Sequence, residues 1–297
     1  MMDKQGLKTA SQVTLIGAGV NVILAAIKLA AGIIGRSSAL VADAIHSLSD
    51  LITDAITLFG VRAGNRPADR SHAYGHGKIE TLAATLIGAI LFVVGIGILL
   101  SGASKVLGAY RGHIPCRPEW IAFYVAIISV VIKEWLYRYT MKKAKEVKSK
   151  AIIANAWHHR SDALSSIGTI VGIGGAILLG ERFRILDPIA AIGISILIIR
   201  EALRIILQCI GELTEKSLGE EMEADILRVI MSVPDVKNPH NLKTRRIGNA
   251  CAIDVHIEVD RSLSIVDAHE ISRGVEDNIR GFLGKDTFVS VHVEPLK

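Results

Sequence analysis

Six apolar stretches, at residues 13–34, 39–61, 80–107, 119–139, 151–179 and 188–211, dominate the first two thirds of the chain. Each predicts a helix long enough to cross about 30 Å of hydrocarbon. The second stretch is not uniformly apolar. Asp43, His46, Asp50 and Asp54 recur at spacings of three or four and draw one polar stripe along the helix. Because clear spanning segments flank it, the stripe is expected to face the interior of a bundle rather than water. Lys28 interrupts the first stretch, and snorkelling or pairing with a neighbouring helix accounts for it. Lys133, Glu134, Trp135, Tyr137 and Tyr139 read as the interfacial end of the fourth. Asp187 and Pro188 read as N-cap and first residue of the sixth.

From residue 212 the pattern changes. Residues 220–233 form an amphipathic helix stopped by Pro234, and 242–247 suit a short strand. Residues 251–260 alternate apolar and polar side chains with period two, as do 289–294. Ser264 with Asp267 predicts a capped helix running to Leu283. The order α-β-β-α-β predicts a small open-faced, ferredoxin-like α+β domain. The fold expected is therefore a six-helix, all-α membrane domain over 1–211 followed by a soluble domain over 212–297.

Composition agrees with this division. Of 297 residues half are hydrophobic, mean hydropathy is +0.41, and the charged 21% concentrate after about residue 210. A net charge of +5 invites a nucleic-acid reading. The Lys and Arg nevertheless fall in short runs between apolar segments, and no aromatic RNA-stacking motif occurs, so no nucleic-acid partner is expected. The N-terminal tail and the loops at 62–78 and 142–150 are rich in Lys and Arg, whereas the loops at 36, 111–117 and 181–184 are poor in them. The positive-inside rule then places both termini in the cytoplasm, with six spans. Cys116, Cys209 and Cys251 are odd in number and far apart, which argues against disulfides and thiolate metal sites. The first apolar run is too long for a signal-peptide core, so no cleavable leader is expected.

The candidate chemistry lies in histidines and carboxylates. His46 with Asp50, and His158 with Asp162, each stand four residues apart. On a helix such residues share a face with Cβ atoms about 5–6 Å apart. Two facing pairs supply two neutral nitrogens and two carboxylates, a tetrahedral set suited to Zn²⁺ that also cancels its charge. Asp69, His72 and His76 lie within one Gly-rich loop and could make a second site. His240, His256, His269 and His292 belong to the C-terminal domain, where His292 and Glu294 share one strand face. No HExxH pattern occurs and a four-ligand site is closed, which argues against an intramembrane metalloprotease.

The stretches at 42–50 (ADAIHSLSD), 72–80 (HAYGHGKIE) and 155–162 (NAWHHRSD), with the αββαβ domain behind them, resemble the cation diffusion facilitator family. Its members are six-helix dimeric exporters of divalent transition metals. The resemblance implies that His46, Asp50, His158 and Asp162 form the transport site, and that Asp69, His72 and His76 form a loop site. It further implies a cytoplasmic-domain cluster of His240, His256, His269, His292 and Glu294, holding metal at a dimer interface. Lys78 is similar to a family lysine that pairs with an acidic residue after the sixth helix, for which Glu215 is the candidate. His113 and His159 match no family site, and His159 should face another side of its helix than His158. The expectation is a homodimer in the cell membrane that is not an enzyme. It exchanges a divalent cation, Zn²⁺ before Fe²⁺, Mn²⁺, Co²⁺ or Cd²⁺, for protons. A membrane-anchored metal sensor and a passive channel are the alternatives.

Overall fold

The computed structural model describes residues 4–63, 69–146, 150–248 and 250–296. Six long helices come first: α1 (Lys4–Ile34), α2 (Ser38–Ala63), α3 (Gly77–Tyr110), α4 (Trp120–Glu146), α5 (Lys150–Leu178) and α6 (Leu186–Leu213). A single 3-10 turn, Glu181–Ile185, separates the last two. Among the described residues, four segments are long and apolar enough to cross a membrane: Leu15–Ile34, Gly77–Tyr110, Trp120–Glu146 and Asn155–Leu178. The other two helices carry more charge, notably Asp43 and Asp50 on α2 and Arg200, Glu201 and Arg204 on α6.

The chain forms two compact units, one of Met1–Asp54 with Ile87–Arg204 and the other of Ala55–Leu86 with Ile205–Lys297. In the first, the usual order of burial is inverted. Val93 is 69% exposed on the outside of α3, whereas Lys28 on α1 is 0% exposed. A soluble protein does the opposite, so this outer surface suits lipid. Small residues let the helices approach closely. A Cβ added at Gly172 of α5 would lie 2.5 Å from Ala190 Cβ of α6, and one at Gly102 of α3 would lie 2.8 Å from Ile192 Cγ1.

Three local expectations are corrected in this unit. Asp187 does not cap its own helix, because α6 already begins at Leu186. Its carboxylate instead accepts from the Ser38 amide (2.7 Å), the Ala39 amide (3.3 Å) and the Ser37 hydroxyl (2.6 Å), so it caps α2. A carboxylate at a helix N-terminus satisfies free N–H groups and complements the helix dipole. Lys133 is not interfacial: α4 runs on to Glu146, which leaves Lys133 in mid-helix, 2% exposed. The lysines at 142–145, expected in a loop, extend that helix because Lys, Ala and Glu are all good helix formers. Of the two readings offered for Lys28, pairing with a neighbouring helix holds and snorkelling does not: it is fully buried against Asp43 of α2.

The second unit contains the αββαβ domain: α7 (Glu220–Met231), β1 (Lys237–Ile247), β2 (Ala250–Val259), α8 (Ile265–Leu283) and β3 (Phe288–Pro295). The sheet order is β1-β2-β3, with β1 antiparallel and β3 parallel to the central β2. Ile253, Val255, Ile257 and Val259 pack against Ile226 and Ile230 of α7 and Val275 and Ile279 of α8, all buried. The alternation read from the sequence is thus the inner face of β2. Ser264 caps α8, its hydroxyl accepting from the Asp267 amide at 3.2 Å. β1 starts at Lys237, five residues before the expected strand at 242. Asn238 and Asn241, at φ 43° and 49°, carry irregularities in its register, and Pro239 is tolerated on this edge strand.

Candidate functional site

α2 places His46 and Asp50, and α5 places His158 and Asp162, on the wall of one cavity of about 600 Å³. Asp50, His158 and Asp162 each offer a ligand atom within 4.8 Å of the others. His46 lines the same cavity but falls outside that tighter group. His46 Nδ1 and Asp50 Oδ2 are buried and meet no hydrogen-bond partner. An unpartnered carboxylate oxygen in a buried wall is costly unless something charged fills the space beside it. Asp162 is divided between two neighbours. Its Oδ1 lies 3.9 Å from His158 Nδ1, and its Oδ2 accepts from Lys133 Nζ at 3.2 Å.

His158 and His159 face different surroundings on α5. The His158 side chain is 43% exposed to the cavity, while His159 is 3% exposed, with both ring nitrogens unpartnered. Its neighbour is Gly17 of α1, where an added Cβ would lie 3.3 Å from His159 Nε2. Arg200, Glu201 and Arg204 of α6 complete the cavity mouth, and sequence reasoning assigned them no role. It also missed Lys133 as a neighbour of the site. Its signal was available, since a lysine within an apolar segment defaults to a functional hypothesis.

In the second unit, Asp69, His72 and His76 also bring ligand atoms within 4.8 Å of one another. Asp69 Oδ1 accepts from the Ser71 amide (2.8 Å), the Ser71 hydroxyl (2.7 Å) and the His72 amide (2.8 Å). Those donors hold the Asp69 carboxyl down at about 2, the Ser71 hydroxyl contributing most. The carboxylate is therefore anionic at any physiological pH. Lys78 Nζ donates to Glu215 Oε1 at 2.8 Å, and Arg245 Nη1 lies 3.6 Å from Glu215 Oε2. The Lys78 bond is the main cause that keeps the Glu215 carboxyl below its ordinary range. Glu212, not singled out in the sequence, joins the same region by accepting from Thr81 Oγ1 and the Gly248 amide, both at 2.8 Å. A Cβ at Gly77 would lie 2.8 Å from the Ile247 carbonyl oxygen, so only glycine allows this close approach.

Strand register builds the third cluster. His240 of β1 and His292 of β3 both pair with His256 of β2, so three imidazoles form one row across the sheet. The ring centroids are 5.3 Å apart for His240 and His256, and 4.6 Å for His256 and His292. Glu294 lies against all three: 2.9 Å from His256 Nδ1, 3.6 Å from His240 Nε2 and 3.7 Å from His292 Nε2. The bond from His256 is the first cause that lowers the Glu294 carboxyl. His269 is not brought to this row. It is exposed on α8 and belongs to no ligand group among the described residues.

Apolar helices with imidazoles and carboxylates turned onto an inner cavity, followed by a histidine-bearing α+β domain, define a membrane carrier of cations. Residues 14–214 match the cation efflux transmembrane domain and residues 218–296 the cation efflux protein cytoplasmic domain. The chain belongs to this family, the cation diffusion facilitators, which are metal transporters and not enzymes. Metal tolerance protein C1 of Arabidopsis thaliana is 37% identical over 94% of this chain; the chain spans 61% of that protein's length. The manganese efflux system protein MneP of Bacillus subtilis is 33% identical, over 96% of this chain and 95% of its own. The crystal structure of the cytosolic domain of a cation diffusion facilitator family protein is 38% identical, covers 26% of this chain and 90% of its own, and has a TM-score of 0.24.

Proposed function

We propose that this chain exports divalent transition-metal cations from the cytoplasm in exchange for protons. It does so as a homodimer in the cell membrane, with both termini cytoplasmic. The observation that carries this reading is the pair of unpartnered atoms, His46 Nδ1 and Asp50 Oδ2, beside the His158 and Asp162 ligand atoms in one cavity. All six long helices span the bilayer in this reading. Asp50 of α2 and Arg200, Glu201 and Arg204 of α6 are tolerated because they line the cavity, and Asp43 because it is paired with Lys28. Residues 1–211 are then the membrane domain and 212–297 the cytoplasmic one.

The ion binds when both imidazoles are neutral and both carboxylates ionised, so that the bound set is charge-compensated. Protons compete for the same lone pairs, and uptake of metal therefore releases protons while protonation expels metal. Histidine suits this exchange because its ordinary pKa lies near neutrality. Rocking of the helices about the site would open it alternately to each side of the membrane. Two nitrogens with two carboxylates favour Zn²⁺, and Fe²⁺, Mn²⁺, Co²⁺ and Cd²⁺ complete the substrate class. The manganese efflux named for one relative supports keeping Mn²⁺ in it.

The loop set, Asp69, His72 and His76, is proposed as a second metal site. The cytoplasmic set comprises His240, His256, His292 and Glu294 in one chain, with His269 joining only by way of the dimer. Metal held there would shift the population of carrier states.

Flux of Zn²⁺, Fe²⁺, Mn²⁺, Co²⁺ and Cd²⁺ into proteoliposomes, with internal pH recorded, tests the reading. The expected result is metal movement accompanied by an opposite change in proton concentration. A flux indifferent to the pH gradient at clamped voltage would indicate a channel. Binding without flux of any metal would leave a sensor.

A further inference from the structure

Four charged side chains are buried together beside the cavity, and three of them have no place in the mechanism above. Lys28 of α1 lies 2.7 Å from Asp43 of α2, and Lys133 of α4 lies 3.2 Å from Asp162 of α5. Ser166 of α5 donates to both oxygens of Asp43, at 2.9 and 3.2 Å. Ser47 of α2 joins the two pairs, since its hydroxyl oxygen accepts from Lys28 Nζ at 3.3 Å and from Lys133 Nζ at 3.4 Å. Two ammonium groups and two carboxylates make a neutral set, which is how four charges persist away from water. The two pairs are nevertheless unequal. Asp43 is enclosed by Lys28 and Ser166, whereas Asp162 also faces the cavity that His46, Asp50 and His158 line.

We infer that Lys133 is a specificity-determining residue of the transport site. Its ammonium is a tethered counter-cation that occupies Asp162 in the metal-free carrier and that an entering ion must displace. This rests on the reading of Asp162 as a transport ligand.

Cations compete with the Lys133 ammonium for Asp162. A sodium or potassium ion carries the same single charge as the ammonium, prefers oxygen ligands and must first shed its water. It gains nothing at Asp162 that Lys133 does not already provide. A divalent transition metal brings twice the charge and bonds to the imidazole nitrogens of His46 and His158, which an alkali ion does not value. The tether thus sets a threshold that only the second kind of ion passes.

Displacement is also geometrically open. Ser47 already accepts from Lys133, so the ammonium keeps one partner when Asp162 turns to the metal. Asp43 cannot take it over, because Lys28 holds that carboxylate. The displaced ammonium stays beside the loaded site, and its repulsion weakens metal binding enough for the ion to leave.

The test is metal binding to the purified full chain carrying H76A and E294A, which remove the loop and cytoplasmic clusters. Binding of Zn²⁺ is measured by chelator competition with and without excess NaCl or KCl. In K133M the account expects Zn²⁺ to bind about tenfold more tightly or better. Na⁺ and K⁺ should then compete measurably in K133M and not in the protein that keeps Lys133. K133Q, which keeps a hydrogen-bonding side chain of similar size, is carried in parallel and gives the same direction if K133M fails to fold. A lysine that only braces the bundle would lower the melting temperature without moving either affinity or selectivity. Unchanged or weaker Zn²⁺ binding in the folded variant overturns the inference. D50A separates this from the underlying reading: if it binds Zn²⁺ as the parent does, the transport-site assignment itself has failed.

Discussion

The ammonium of Lys28 on α1 lies 2.7 Å from the carboxylate of Asp43 on α2, with side chains 0% and 2% exposed. Removing one partner leaves the other as an uncompensated buried charge. K28M or D43N alone should therefore destabilise the protein by about 3–5 kcal/mol, whereas the double variant K28M/D43L should lie much closer to wild type. Unfolding of the purified variants in detergent measures this. A double variant that loses the sum of the two single losses would show that the pair is not coupled.

Helix contacts in the first unit depend on particular glycines rather than on glycine content. A Cβ at Gly172 would lie 2.5 Å from Ala190 Cβ and 3.1 Å from the Leu186 carbonyl oxygen, while one at Gly168 meets nothing within 4 Å. G172A must push α5 from α6 and should cost about 1–3 kcal/mol, as overpacking does. G168A should be neutral or slightly stabilising, since alanine is the better helix former. Equal melting temperatures for the two variants would contradict this packing.

What could be read from the sequence was whatever depends on short spacing. The i, i+4 pairs of α2 and α5, the alternation of β2 and β3 and the Ser264 cap are local patterns, and each element forms where its pattern lies. Contacts between distant elements were not legible. Asp187 caps a helix some 150 residues earlier in the chain, and nothing near it says so. Lys133 was read as an interfacial residue because aromatic residues follow it, but α4 continues past them and carries it inward. The Pro239 and asparagine stretch opening β1 lay outside the expected strand, whereas positive φ at Asn238 and Asn241 lets it pair as a bulged edge strand. That edge supplies His240, so the row of three histidines emerges only from strand register.

The pairing of Lys78 with Glu215 makes a prediction about acid. The Glu215 carboxyl is held below its ordinary range by Lys78, with Arg245 adding to the effect. A depressed folded value means stability that is present above the unfolded carboxyl value, about 4.3, and lost as pH falls through the folded one. The melting temperature of wild type should exceed that of E215Q at neutral pH, and the difference should shrink below about pH 4. A difference that persists unchanged through strong acid would remove the pair as its cause.

Glu294 touches His240, His256 and His292 at once, so it is the residue whose loss should most damage the cytoplasmic cluster. The full chain bearing E294A should hold one Zn²⁺ fewer per protomer at saturation than wild type, as counted by elemental analysis after desalting. An unchanged count would mean that the three imidazoles do not need the carboxylate, or that the row holds no metal.

The central claim is that the carboxylates and imidazoles of α2 and α5 carry the ion across the membrane. Asp50 tests it most directly, because its Oδ2 is buried without a protein partner and its removal breaks no hydrogen bond at that atom. Zn²⁺ uptake by proteoliposomes containing D50A, reconstituted at the same protein density as wild type, is the measurement. The account predicts uptake at the level of protein-free vesicles. Uptake at the wild-type rate would contradict it.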